Sequence, residues 1–101
     1  MIERGTTPEH TFTLPLDVGT LKNARVVYVQ GDEKVIEKEK DSLAMSGNTV
    51  KVRLTQADTF ALDHKKKVRY QLRALTYGGD ALNSEIFEDT VGECIDNEVI
   101  R

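Results

Sequence analysis

A chain of 101 residues, 39% hydrophobic and 31% charged, has the size and balance of one small globular domain and no material for a second core. Its formal net charge of -3 opposes general attraction to nucleic-acid phosphates or to an anionic membrane surface. Cys94 is the only cysteine, which excludes an intrachain disulfide and a thiolate metal cage.

No run approaches the ~18 consecutive apolar residues of a bilayer span. Glu3 and Glu9 also interrupt an opening that a signal peptide would keep apolar, so synthesis and retention inside a cell are expected. The first periodic segment is HTFTL (10–14), with Phe12 and Leu14 on one face and Thr11 and Thr13 on the other; Pro15 ends it by withholding a ladder donor. ARVVYVQ (24–30) is almost continuous in β-branched and aromatic residues, as a central strand covered on both faces would be. GDE (31–33) supplies a turn, and KVIEKEK (34–40) carries the charges that protect an edge strand from pairing with other chains.

SLAMS (42–46) reads as a short strand, and the turn at Gly47 and Asn48 leads into Thr49–Leu54. There Val50, Val52 and Leu54 share one face while Lys51 and Arg53 take the other. At Thr55 the period changes. A threonine followed three residues later by Asp58 is a helix-capping pattern, which predicts a single helical turn over 56–60 that tucks Phe60 or Leu62 under the sheet. The strand ends there so that the chain can cross from one layer to the other.

DHKKK (63–67) is a polar loop before VRYQLRAL (68–75), where Val68, Tyr70, Leu72 and Ala74 oppose Arg69, Gln71 and Arg73. GGD (78–80) signals a hairpin with a return strand over 81–91. A two-residue turn would set Tyr70 opposite Phe87. A three-residue loop would set Arg73 opposite Glu85, Arg69 opposite Asp89 and Leu72 opposite Ile86, and it is preferred because opposite charges and apolar pairs then meet. Seven short strands with almost no helix predict an all-β, immunoglobulin-like antiparallel β-sandwich spanning 1–101, its core in 10–95 and its termini as extended arms. The Trp and Cys pair of antibody domains are absent, and a small barrel is the competing architecture.

Chemistry-bearing patterns are few. His64, Lys65, Lys66, Lys67, Arg69 and Arg73 gather around Tyr70, but Tyr70 belongs to the apolar face, so the run reads as a solvated loop or a protein-docking patch rather than a strip for single-stranded nucleic acid. Glu9–His10 and Asp63–His64 are sequence neighbours, and neighbours on a strand point to opposite faces; no catalytic residue, metal ligand or cofactor is expected. The tail GECIDNEVIR (92–101) carries Ile95, Val99 and Ile100 among acids, apolar side chains that docking onto a neighbour would bury.

Taken together, HTFTL, NTVKVRLTQADT, VRYQLRAL and SEIFEDTV resemble small phage and prophage virion proteins, in particular the N-terminal β-sandwich of phage baseplate upper proteins, over about residues 10–95. The chain lacks the helical or receptor-carrying extension of the larger baseplate proteins. The resemblance implies a non-enzymatic tail, baseplate or head-tail component, made in a bacterial cytoplasm and carried in the virion, whose partners are other phage structural proteins and copies of itself in a symmetric ring. Lys65, Lys66, Lys67, Tyr77, Ile95, Val99 and Ile100 are the docking candidates. The alternative is a free-standing immunoglobulin-like module for carbohydrate or a surface protein, with Tyr77 in the hairpin loop as the aromatic available to stack on a sugar.

Overall fold

In the computed structural model, which describes residues 1–101, apolar alternation becomes two facing sheets. β1 (Ile2–Glu3) is followed by β2 (Glu9–Thr13); Leu14 makes a last ladder bond to the Asn48 carbonyl at 2.7 Å, and Pro15 has no N–H to continue. β3 (Leu21–Gln30) and β4 (Glu33–Glu39) form a hairpin around Gly31, φ +61°. β5 (Leu43–Ser46) and β6 (Thr49–Arg53) form another around Gly47, φ +58°, a backbone region that costs glycine nothing. β7 is Val68–Thr76, and the return segment is split into β8 (Ala81–Asn83), β9 (Phe87–Asp89) and β10 (Val91–Gly92).

One sheet has the order β2-β6-β5 and the other β4-β3-β7, with β8 and β9 both against β7; β1 pairs β10 in parallel. Naming β1 to β7 as strands A, B, C, C′, D, E and F, and the broken return segment as G, gives B-E-D facing C′-C-F-G, with A beside G. That is the immunoglobulin-like order except that A has left the edge of B to pair with G, and the fold is an antiparallel sandwich of this type. The small barrel is set aside by two separate sheets.

Apolar contact fills the space that a cysteine pair spans in antibody domains. Phe12, Val50, Val52 and Leu54 from the first sheet meet Val26, Tyr28, Val68 and Leu72 from the second, all buried. Each fully buried side chain of this size contributes about 1.5–3 kcal/mol. Tyr70, also assigned to this face, is half-buried and packs against the cluster.

The helical turn lies where the capping pattern placed it, as α1 (Gln56–Phe60). The Thr55 hydroxyl accepts from the Asp58 N–H at 3.0 Å, and the Asp58 carboxylate accepts from the Thr55 N–H at 2.8 Å. Leu62, 1% exposed, goes under the sheet; Phe60 stays at the margin, with the Arg4 guanidinium 5.5 Å from its ring centre.

Three expectations are corrected. The return strand is interrupted at 84–86, and its register is not the three-residue-loop one: Arg73 faces Asn83, Arg69 faces Glu88 and Tyr70 faces Phe87. Aromatic stacking decides this. Tyr70 and Phe87 lie 5.5 Å apart at 22°, and Phe12 meets Phe87 edge-on at 5.7 Å, whereas exposed Arg–Glu pairs are worth about 0.2–1 kcal/mol. Ser84 makes the offset tolerable, because its hydroxyl accepts the Leu72 N–H at 3.0 Å and its N–H bonds the Leu72 carbonyl at 2.9 Å. Second, β3 is not equally covered on both faces: Ala24, Val26, Tyr28 and Gln30 are buried, while Val27 and Val29 are half-buried on the outer surface. Third, the core reaches beyond 10–95. Ile2 is 2% exposed and β1 is laddered to β10, so the N-terminal residues belong to the sandwich rather than to a loose arm.

Candidate functional site

The docking candidates fall at two ends of the sandwich. β7, nine residues long and about 30 Å at ~3.4 Å per residue, separates Lys67 from Tyr77. The lysines precede it, and Tyr77, 70% exposed, follows it, its N–H bonded to the Thr20 carbonyl at 3.0 Å. The structure therefore does not bring Tyr77 together with Lys65–Lys67.

It does bring the lysine loop and the C-terminal tail together. The loop is held from below by Gln30, the last residue of β3, which is 5% exposed. Its amide nitrogen donates to the Asp63 carbonyl at 2.8 Å and the Lys66 carbonyl at 3.1 Å, and its carbonyl oxygen accepts the Asp63 N–H at 2.8 Å. Asp63 then turns the chain by accepting the Lys65 N–H at 2.9 Å. That bond is the first cause of an Asp63 carboxyl held below its ordinary range, partly opposed by burial and helped by the charges of Lys66, His64 and Lys65. The result is a rigid backbone that carries three exposed cations. Lys67 reaches Glu88 at 3.4 Å, and His64 lies 4.0 Å from Glu93 at the start of the tail.

The tail is fastened by a second glutamine. Gln56, at the start of α1, accepts the Ile100 N–H and donates to the Ile100 carbonyl, both at 2.9 Å, as a neighbouring strand would. Arg4 donates to the Asn97 side chain at 2.9 Å and to the Phe60 carbonyl at 3.0 Å. Val99 rests beside Arg53, Leu54 and Gln56, while Ile95 and Ile100 stand 96% and 75% exposed. The tail is thus tied down at Asn97 and Ile100 while its apolar side chains at 95 and 100 face solvent.

α1 itself is braced by Lys38 of β4, 2.7 Å from Asp58. Burial pushes the Asp58 carboxyl up, but bonds from Lys38 and Thr55 outweigh it and the net shift is downward. Of the two arginines expected to meet acids, Arg73 donates to Asn83 at 3.1 Å, while Arg69 does face an acid, Glu88 in place of Asp89; the Glu88 carboxylate is 3.4 Å from Lys67.

His10 is the side chain whose surroundings the sequence reading missed. It does not work with Glu9; its ring lies 4.7 Å from that of Tyr70, at 25°, and its Nδ1 is 2.6 Å from the Tyr28 hydroxyl. Burial lowers the His10 pKa, with Asp89 opposing and the amino terminus assisting, and burial raises that of Tyr28. The neutral imidazole therefore accepts from the Tyr28 hydroxyl through Nδ1 and keeps its proton on Nε2. The available signal was parity: His10 shares the inward face with Phe12 and Leu14. The pair closes the end of the aromatic cluster Tyr28–Tyr70–Phe87.

No family model matches the chain, and no curated protein matches it in sequence. Among solved structures, the V domain of amphioxus IgVJ-C2 aligns with 89% of this chain and 96% of its own, at 8% identity and a TM-score of 0.37.

Proposed function

We propose that this chain is a non-enzymatic assembly module of a prophage particle, a tail, baseplate or head-tail component that acts through protein contacts. The observation that carries the docking role is that the loop of Lys65, Lys66 and Lys67 and the tail of Ile95, Val99 and Ile100 are each anchored by a glutamine amide and approach one another where His64 lies 4.0 Å from Glu93. The prophage setting is supported by the resemblance of the HTFTL, NTVKVRLTQADT and SEIFEDTV segments. Partners are other structural proteins of the particle and copies of this chain.

Two experiments test this. Genes flanking this one that encode capsid, portal or tail components support the setting, and a secretion or adhesin cluster overturns it. Light scattering of the chain co-expressed with its neighbours' products reports assembly; the complex is expected to be lost on combining Lys65→Glu, Lys66→Glu and Lys67→Glu, or on truncation before Ile95. A mixture that stays monomeric throughout refutes the docking role. Tyr77 favours a second reading, a carbohydrate-binding module, because its ring is presented to solvent at the opposite end. Glycan-array binding abolished by Tyr77→Ala would select it.

A further inference from the structure

The two sheets do not close against each other on the side where β2 faces β8 and β9. A groove of about 550 Å³ opens there, floored by Phe12, Leu14, Leu72, Ala74, Leu82 and Phe87. Along its rim runs an edge of β2 that pairs with nothing. The Leu14 N–H bonds Asn48 and the Leu54 N–H bonds Pro8, and bonded pairs alternate along an antiparallel ladder. The even-numbered residues of β2 therefore face β6, and Glu9, Thr11 and Thr13 turn their N–H and C=O groups to the groove side. In the immunoglobulin-like order this is where strand A lies beside B, but β1 is committed to β10.

The other sheet edges carry protection. β4 displays Lys34, Glu37, Lys38 and Glu39, and its pairing is disturbed by a register shift at Tyr28/Val29. β5 is four residues long, and β8 and β9 are separated by the irregular stretch 84–86. β2 has no lysine, no proline and no bulge, only threonines and one glutamate on the free side. An edge left pairable above an apolar groove is built to receive a strand.

We infer that this groove accepts an extended segment of a different polypeptide, which adds antiparallel to β2, places apolar side chains at alternate positions against Phe12 and Leu72, and sets a lysine or arginine opposite Glu9. The charge preference follows from the walls: Glu85 is the only charged side chain lining the groove and Glu9 the only one on the β2 edge. The chain's own tail is a poor occupant, since Glu93, Asp96 and Glu98 would add acids to acids. A second copy pairing β2 to β2 is poor as well. Its inward side chains would be His10 and Phe12, which already fill their own sandwich.

The inference deepens the assembly reading by naming how one protein partner is held, and it is tested apart from the lysine end. The full chain is extended at its C-terminus by a Gly/Ser linker of roughly twenty residues, with an r.m.s. reach of about 25 Å, followed by the strand TVTVKVT. A control carries TSTSKST. The apolar extension is expected to slow hydrogen exchange at the Thr11 and Thr13 amides about tenfold relative to the control and to raise the unfolding midpoint. Thr11→Pro removes only a free-edge donor, so the variant folds and loses both the protection of the Thr13 amide and the rise in midpoint. Equal exchange with the two extensions, or protection at β4 or β5 instead, overturns the assignment. So does concentration-dependent protection of Thr11 in the unextended chain, which makes a second copy the occupant. Loss of these effects leaves docking through Lys65–Lys67 untouched, and loss of the lysine-end complex leaves them intact.

Discussion

Replacing Gln30 by methionine keeps an unbranched side chain of similar length and deletes the three hydrogen bonds that hold the lysine loop. The Asp63 N–H and the Lys66 carbonyl lose the partners described above, while the Asp63 carbonyl keeps the Lys66 N–H at 3.3 Å. At a net ~1 kcal/mol for each bond, the loss sums to about 3 kcal/mol. Lys65 and Lys66 are exposed, so water can repair part of it, and about 2–3 kcal/mol is expected. With a urea slope near 2 kcal/mol/M, the unfolding midpoint falls by about 1–1.5 M. Urea unfolding followed by circular dichroism measures this, and amide exchange at Asp63 and Lys66 reports the loosened loop. A loss below about 0.5 kcal/mol with exchange unchanged would refute the reasoning, because the loop would then hold its shape without Gln30.

Thr55→Ala removes the capping box of α1 and is expected to cost about 1 kcal/mol, a fall in thermal midpoint of roughly 4–8 °C; an unchanged midpoint would mean that Lys38 and Asp58 alone hold the turn. His10 has a folded pKa below its ordinary 6.5, so between the two values the unfolded chain binds more protons. The stabilisation is whole above about pH 6.5 and is lost as pH falls from there toward the folded value. Denaturant titrations across that window should show stability rising with pH in the native chain and a flatter profile in His10→Gln; parallel profiles would reject the assignment. In a Cys94→Ser background, Arg69→Cys with Glu88→Cys should oxidise to a disulfide, since directly opposed residues have Cα atoms about 4.5–5.5 Å apart. Arg69→Cys with Asp89→Cys should not, because Asp89 takes the other face, and a reversed outcome would restore the register first expected from charge pairing.

Period-two burial was legible because it is a local property. Val50, Val52 and Leu54, or Val68 and Leu72, needed only their own neighbours to declare a face, and Thr55 with Asp58 declared the end of β6 in the same way. The return strand was not legible, since its register depends on Phe87 finding Tyr70 and Phe12 from two other strands, and the exposed charges that suggested the alternative are energetically minor. Gln30 looked like the polar end of a strand. Its importance lies in reaching residues 33 positions away in the chain, which no spacing rule contains. β1 and β10, two residues each, are too short to show any period, and only their mutual pairing makes them strands. Of the docking candidates, exposure could be guessed from composition, but the grouping of the lysines with the tail, apart from Tyr77, depended on the path of the chain around α1.

The parallel pairing of β1 with β10 has a mechanical consequence. Ile2 donates to the Thr90 carbonyl at 2.9 Å and Arg4 to the Gly92 carbonyl at 3.1 Å, so tension applied ahead of β1 and beyond β10 pulls along the strands, across their bonds. Such bonds resist together in shear instead of peeling open one after another. A sandwich wired this way stays shut under traction applied at the two ends of its chain.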